Sequence, residues 1–224
     1  MFKFLKKSYA SIIITGLIFL FAVVVGFYLL SPKEQLPVYN PTDVNPRLVD
    51  YSIQHIKKDH TIANFMLINQ NGDTITNESY KNKIYIADFF FTRCATICPI
   101  MTNNMVELQK IYKDDPEVLF LSHSVTPVID SISVLKQYAI DRGVLDEKWN
   151  LTTGSKKHIY ELARKSYFAV LDEGDGGEQD FIHTEQFVLV DAKRQIRGFY
   201  DGTDKNEIER ISKDIEILKK EMVN

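Results

Sequence analysis

Apolar and polar positions change their spacing several times between residues 64 and 220, and each change marks a predicted element. Alternation on either side of an Asn-Gly pair predicts a β-hairpin over 64–76. A continuous apolar and aromatic run predicts a strand buried on both faces over 84–91, and a second strand follows at 118–125. Apolar positions three and four residues apart predict helices over 101–112, 131–142, 155–166 and 206–220.

The order of these elements indicates the fold class. Two strand–helix units are followed by a predicted hairpin of strands 187–191 and 196–200, and then by the last helix. This is the element order of the thioredoxin fold, which is an α/β architecture. We therefore predict a thioredoxin-like α/β domain with an N-terminal β-hairpin extension at 64–76 and an inserted helix at 155–166.

The N-terminal segment has a different pattern. No charged residue lies between Lys7 and Lys33, and residues 12–30 are almost entirely apolar. Because about 20 such residues cross the hydrocarbon layer as a helix, we predict one transmembrane helix here. Lysines 3, 6 and 7 precede this helix, so the positive-inside rule places the N-terminus in the cytoplasm. A cleaved signal peptide is the alternative, but no small-x-small cleavage site follows the run, and no cysteine follows it that would make a lipoprotein.

These features predict three regions and a location. Residues 1–31 form the cytoplasmic N-terminus and the transmembrane anchor, and residues 51–224 form the thioredoxin-like domain. Residues 32–50 contain four of the seven prolines and are expected to be an extended linker. We expect a single-pass protein of the bacterial inner (plasma) membrane whose C-terminal domain is periplasmic or otherwise extracytoplasmic.

Charge and cysteine content exclude two classes of protein. The net charge is -3, and without the three lysines ahead of the anchor the chain has 24 basic and 30 acidic residues. The exported part is therefore acidic and lacks the basic face that a nucleic-acid partner requires. Only two cysteines are present, so a network of disulfides does not hold the fold together.

The two cysteines, Cys94 and Cys98, lie between the predicted strand 84–91 and the predicted helix 101–112. Open α/β sheets place their ligands at the carboxyl ends of strands, and a helix N-terminus favours thiolate over thiol. A spacing of four residues brings both sulfurs to one side of a helical turn. Such a pair suits reversible disulfide formation or capture of a soft metal ion, and Cu(I) needs fewer ligands than zinc or an iron–sulfur cluster. The alternative is a structural disulfide or two inert buried thiols.

A third ligand would come from one of five histidines. His183 opens the late hairpin, which is expected to pack beside the strand that leads to Cys94. His123 ends the strand 118–125, on the same predicted edge of the sheet, and is a weaker candidate. His55, His60 and His158 lie in polar surroundings, where a solvated histidine is the simplest interpretation.

The motifs around these residues resemble the Sco (SenC/PrrC) family. The matching segments are 90–99 with its Cys-x-x-x-Cys-Pro, 124–139, 149–154 and 183–202, and together they span about residues 60–220. The resemblance implies a thioredoxin-like fold that binds copper, as Cu(I) or Cu(II), through Cys94, Cys98 and His183. It also implies a role in building the binuclear copper centre (CuA) of cytochrome c oxidase, so the CuA-bearing subunit, or another copper or thiol acceptor, is the expected partner.

The chain departs from the pattern of this family at three places. Relatives usually have an acidic residue between the cysteines, where this chain has Ala95, Thr96 and Ile97. They usually have Asp directly before the histidine, where Ile182 stands, and often Asp before the proline after the second strand, where Thr126 stands. Carboxylates that would orient the ligands or meet a partner are therefore missing. Asp180 or Glu185 is a weak candidate to replace them.

Two functions follow from these observations, with a third class behind them. The first is a membrane-anchored copper chaperone that delivers copper to the CuA site through Cys94, Cys98 and His183. The alternative is a thiol–disulfide oxidoreductase that reduces the acceptor's cysteines, for which Cys94 and Cys98 alone would be catalytic. A redox or copper sensor is the third class. The chain is thus expected to be a metallochaperone rather than an enzyme, unless the reductase activity is its function.

Overall fold

The computed structural model describes the backbone of residues 2–30, 34–171, 174, 177 and 179–223. The side chains of residues 2–11 and 28–30 lie outside the described set. The chain divides into two compact units, residues 1–35 and 36–224.

The first unit contains one helix, α1 (Phe2–Leu30). Among the described residues, no helix is both long enough and apolar enough to cross a membrane. A helix does cover the segment 12–30 that was predicted to cross the membrane, but the structure does not show it as a membrane span, and the side chains of residues 28–30 lie outside the described set.

The second unit is built on one seven-stranded sheet with the order β2-β1-β5-β4-β3-β6-β7. The central strands β3, β4 and β5 are parallel, and the other four strands pair antiparallel. The bounds are β1 (Met66–Asn69), β2 (Thr74–Thr76), β3 (Ile84–Phe90), β4 (Val118–Ser124), β5 (Trp149–Thr153), β6 (Gln186–Val190) and β7 (Ile196–Asp201). The sequence pattern predicted all of these strands except β5.

Four helices cover the two faces of this sheet. They are α2 (Ile97–Ile111), α3 (Ile132–Arg142), α4 (Lys156–Glu161) and α5 (Lys205–Val223). A π-helical turn (Leu162–Ser166) continues α4, and short 3₁₀ helices lie at Pro41–Asp43, Pro46–Leu48 and Asn77–Tyr80. The helix predicted over 155–166 is thus an α-helix only in its first half.

Successive side chains of β3 point to opposite faces of the sheet, and each face has its own core. Ile84, Ile86 and Phe90 face a core that contains both cysteines and the buried sides of α2, α3 and α5. Tyr85 and Phe89, with Ala87 between them, face the other core, which contains α4 and the segment before β1. Because every residue of β3 is buried, this strand is the rigid base from which the thiol turn projects.

Part of the predicted linker belongs to the domain. Arg197 on β7 donates to the carbonyl oxygens of Leu36, at 2.7 Å, and Pro37, at 3.0 Å. Its guanidinium also pairs with Asp191 at 2.9 Å and with Glu221 of α5 at 2.7 Å. These contacts, defined here as the Arg197 clamp, hold the chain from residue 36 onward against the domain. The extended linker expected over 32–50 is therefore shorter in the structure, because the domain begins at residue 36.

Candidate functional site

The turn between β3 and α2 carries the thiol site. Cys94 lies in this turn, and Cys98 is the second residue of α2. The backbone N–H of Cys94 donates to the carbonyl oxygen of Phe91 at 3.3 Å, which closes the turn. Both cysteines thus lie at the carboxyl end of a central parallel strand and at the start of a helix, where ligands of α/β sheets are commonly bound.

The two thiols are free, adjacent and largely buried. Cys94 is 9% exposed and Cys98 is 3% exposed, and no disulfide joins them. The backbone N–H of Cys98 donates to Sγ of Cys94 at 3.4 Å, and Oγ1 of Thr96 lies 3.7 Å from the same sulfur. Sγ of Cys94 therefore lies over the first turn of α2, where the helix dipole also favours a negative charge.

These contacts give the two thiols very different acidities. Burial by itself disfavours the Cys94 thiolate, but the N–H groups of Cys98 and Thr96 stabilise it and lower the pKa of Cys94 to about 6. Burial raises the pKa of Cys98 to about 12, and the neighbouring Cys94 sulfur adds to this effect. At neutral pH Cys94 therefore carries the more reactive sulfur, and Cys98 still holds its proton.

A fully buried carboxylate, Asp130, joins the thiol turn to the neighbouring strand. It accepts hydrogen bonds from the hydroxyl groups of Thr92 at 2.6 Å, Ser124 at 2.5 Å and Thr126 at 3.0 Å. Thr92 begins the turn that carries Cys94, and Ser124 ends β4. Asp130 therefore fixes the position of the thiol turn relative to residues 126–130, a role that the sequence pattern did not reveal.

A second buried carboxyl group, Asp88, lies on the face of β3 that the cysteines share. The Ser122 hydroxyl donates to Asp88, and the indole N–H of Trp149 donates to Oγ of Ser122 at 2.8 Å. Burial raises the pKa of Asp88 to about 7, and its charge in turn contributes to the raised pKa of Cys98. Sequence reasoning missed Asp88 because its neighbours indicated only an apolar strand.

The segment before β6 alternates between buried and exposed side chains. Ile182 and Thr184 point inward, and the Thr184 hydroxyl donates to a backbone carbonyl oxygen at 2.8 Å. Phe181 and His183 are exposed on the opposite side of this segment. The Phe181 ring packs edge-on against Phe91, which lies at the start of the thiol turn, with 5.2 Å between ring centroids. The buried side chain of Ile182 thus explains why an apolar residue stands directly before His183.

The predicted three-ligand set is not assembled in the structure. Within the described ranges, no three His, Cys, Asp or Glu side chains form a group that could hold a metal ion. His183 lies on the same outward side as Phe181, whose ring reaches the thiol turn, but it does not form a cluster with the two sulfurs. The sulfur pair itself is formed, and its soft donors suit a soft cation.

The weaker candidate, His123, is excluded by its surroundings. Its ring is fully buried on the opposite face of the sheet from the cysteines, where it stacks on Phe89 at 5.0 Å and contacts Tyr167 at 5.5 Å. Nδ1 lies 3.1 Å from Oγ1 of Thr152, and burial lowers the pKa of the imidazole to about 3. His123 is therefore a neutral core residue. Its position on β4 was predicted correctly, but the sequence did not show that its side chain lies on the face of the sheet opposite the cysteines.

Asp180, suggested as a replacement carboxylate, is already engaged. Both of its oxygens accept from Arg164, at 2.7 and 2.8 Å, and both side chains are only 7% exposed. This bidentate pair fixes the segment that leads to His183 but leaves no carboxylate oxygen directed at the ligands. The suggestion is therefore wrong for Asp180.

Comparisons with known proteins give consistent results. The family model described as SCO1/SenC matches residues 53–219. The SCO1 protein homolog of Bacillus subtilis (strain 168) is 34% identical over 158 residues, which is 70% of this chain and 81% of that protein. The solved structure of BsSco, described as a member of the Sco family of cytochrome c oxidase assembly proteins with a disulfide switch, is 33% identical with a TM-score of 0.61. It covers 71% of this chain and 94% of that one. Bradyrhizobium japonicum ScoI, solved with copper bound, shares the fold at 23% identity and a TM-score of 0.57, over 71% of this chain and 99% of that one.

Proposed function

The chain belongs to the SCO1/SenC family, and from this premise we propose that it is a copper chaperone in the assembly of cytochrome c oxidase. Its cargo is one Cu(I) ion held by Cys94, Cys98 and His183. The ion passes by ligand exchange to the thiolates of the CuA-bearing oxidase subunit. The free, adjacent thiol pair on the first turn of α2 is the observation that carries this proposal.

The donor set fits such a cargo. Two thiolates select a soft ion that accepts low coordination, and a single imidazole completes three ligands. Cys94 is a thiolate at neutral pH, whereas Cys98 must release its proton when the ion binds, so binding should release protons to the buffer. His183 is exposed on the segment before β6, and in this proposal its ring turns toward the sulfurs when the ion binds.

An anaerobic Cu(I) titration of the full-length chain against a competing chelator tests this function. We expect tight 1:1 binding in the wild type and its loss in Cys94→Ala and Cys98→Ala. Binding should be weaker by about tenfold or more in His183→Ala, which corresponds to a loss of ~1.4 kcal/mol or more in the free energy of binding. His55→Ala is the matched control, since His55 is also exposed. Equal affinity in all of these variants would rule the proposal out.

Reduction of the acceptor's cysteines is the second candidate function, and the split in thiol acidity favours it. The Cys94 thiolate attacks the disulfide and forms a mixed disulfide, and Cys98 then loses its proton and displaces the acceptor thiolate, which closes the Cys94–Cys98 disulfide. The test is reduction of a disulfide-bearing acceptor peptide by the same variants. Activity that survives His183→Ala but disappears in either cysteine variant would identify the reductase, whereas copper-dependent transfer that needs all three residues identifies the chaperone.

The location is proposed from the sequence alone. The uncharged run between Lys7 and Lys33 would hold the domain at a bacterial plasma membrane, with the domain outside the cytoplasm. Confinement of donor and acceptor to one surface raises their encounter frequency. The full-length chain should remain with washed membranes and be released by detergent. Recovery in the soluble fraction would contradict this location.

A further inference from the structure

An apolar groove lies beside the thiol turn, and its rim is unusually exposed. It is lined mainly by residues 125–129 and by Tyr160 and Phe181, and it encloses about 400 Å³. Val128 is 91% exposed, Phe181 53% and Ile129 42%. Exposed apolar side chains gathered around one groove are typical of a binding surface rather than of a random protein surface.

The exposed rim is held in place by hydrogen bonds. The N–H groups of Ile129 and Asp130 both donate to the carbonyl oxygen of Thr126 at 2.8 Å, which forms a tight turn with Val128 at its tip. The buried Asp130 carboxylate then fixes this turn to Thr92 of the thiol turn. Val128 and Ile129 are therefore presented to solvent by a constrained loop.

Three polar side chains that line the groove, those of Lys156, Tyr160 and Asp180, are paired within the domain. Nζ of Lys156 donates to the carbonyl oxygens of Gly177 and Asp180, both at 2.6 Å. The Asp180 carboxylate is paired with Arg164, and the Tyr160 hydroxyl lies 3.1 Å from the carbonyl oxygen of Val125. An apolar group can therefore enter the groove without leaving one of these polar atoms unpaired.

The groove is continuous with the thiol turn, and a free cation lies on that turn. Phe181, one wall of the groove, packs on Phe91, three positions before Cys94. Arg93, the residue directly before Cys94, is exposed. Among the described residues, its side chain has no ion-pair or hydrogen-bond partner. A molecule that extends from the groove to Cys94 would thus reach the residue that carries this positive charge.

We propose that this groove and Arg93 form the docking surface for the acceptor protein, which inserts an aliphatic side chain between Val128 and Phe181 and places a carboxylate against Arg93. The inference deepens the proposed function, because ligand exchange or thiol exchange requires the acceptor to cover Cys94. Charge complementarity selects an acidic segment, and the groove, at about 400 Å³, is large enough to admit an aliphatic side chain such as that of leucine.

A thiol-exchange assay on the full-length apo chain tests this surface without copper. The probe is a short peptide with one cysteine activated as its thionitrobenzoate disulfide and flanked by leucine and glutamate. The Cys94 thiolate attacks the peptide sulfur, a mixed disulfide forms, and thionitrobenzoate leaves with the electron pair of the broken bond. Cys98 then loses its proton and displaces the peptide thiolate, which closes the Cys94–Cys98 disulfide.

The leucine peptide should react about tenfold faster than a matched serine peptide, and Val128→Ser should reduce this ratio to about twofold. The glutamate peptide should react about threefold faster than a lysine peptide at low salt, and Arg93→Gln should abolish this difference. Met66→Ser and Lys110→Gln are the controls, since both residues are exposed and lie on β1 and late in α2; both ratios should persist in them.

Three results would overturn the docking surface. The first is equal rates for the leucine and serine peptides, and the second is that Val128→Ser and Arg93→Gln leave the two rate ratios unchanged. The third is that the full-length chain forms dimers in sedimentation that Val128→Ser disperses, which would assign the groove to a second copy of the chain. Failure of the proposed function is seen separately. Peptide selectivity without Cu(I) binding would reject the chaperone, and Cu(I) binding without selectivity would reject the groove.

Discussion

At the scale of single residues, the site depends on the unequal protonation of two neighbouring thiols. The N–H groups at the start of α2 stabilise the Cys94 thiolate, while burial keeps Cys98 protonated. This inequality is useful for either proposed function, because one sulfur is ready to bind or attack and the other responds only after the first step.

The apo chain should therefore show one alkylation event with a distinctive pH profile. Since the pKa of Cys94 is lowered to about 6, its reaction with iodoacetamide should rise through about pH 6 and level off above pH 7. Cys94→Ser should remove this fast phase, and Cys98→Ser should keep it. A midpoint near the ordinary cysteine value of about 8.5 would show that the helix N-terminus does not stabilise the thiolate.

At the scale of elements, the site is a joint between β3, β4 and residues 126–130, and Asp130 is its centre. Three hydroxyl groups from these segments converge on this buried carboxylate. The joint serves both the thiol turn and the exposed tip at Val128, so one residue positions the two thiols and the proposed docking rim.

Asp130→Asn should loosen this joint. The amide has one acceptor oxygen where the carboxylate has two, so at least one buried hydroxyl loses its partner, and we expect a loss of about 2–3 kcal/mol in the free energy of unfolding. Denaturant unfolding measures this loss, with Ser133→Ala as the control because its hydroxyl lies in an exposed pair with Ser131. A change below about 0.5 kcal/mol, the usual range for surface substitutions, would show that the joint contributes little.

At the scale of the whole molecule, the Arg197 clamp determines where the domain begins. The guanidinium is 7% exposed and joins residues 36 and 37 to Asp191 and to Glu221 of α5. Ile196, the residue before Arg197, pairs with Val190 of β6. Val190 in turn pairs with Tyr85, which lies near the start of β3. The clamp therefore lies toward the end of the strands opposite the thiol turn, so residues 36 and 37 are held away from the site.

Arg197→Gln should release this attachment. It leaves the buried Asp191 carboxylate without its cation, and breaking such a pair typically costs about 3–5 kcal/mol. Limited proteolysis should then cut within residues 36–49, which the wild type protects. Lys193→Gln, an exposed charge change on the neighbouring turn, should preserve both stability and protection. Unchanged cleavage in Arg197→Gln would mean that other contacts hold this segment.

Sequence reasoning predicted the features that depend on local pattern. The continuous apolar run gave β3, the two sulfurs were placed at the start of a helix, and the resemblance to the SCO1/SenC family and its thioredoxin-like α/β fold is confirmed. It missed features that depend on contacts between distant segments. β5 was overlooked because five residues with mixed polarity carry little periodicity. The facing of His123, the hydroxyl groups around Asp130 and the Arg197 clamp all depend on partners that tertiary structure supplies.

The central claim is that two sulfurs and one imidazole hold one Cu(I) ion. X-ray absorption spectroscopy at the copper edge of the Cu(I)-loaded full-length chain tests it most directly. The account predicts three-coordinate copper with two sulfur ligands and one nitrogen ligand, and loss of the nitrogen contribution in His183→Ala but not in His55→Ala. Copper with sulfur ligands only, or a nitrogen contribution unchanged in His183→Ala, would contradict the three-ligand site.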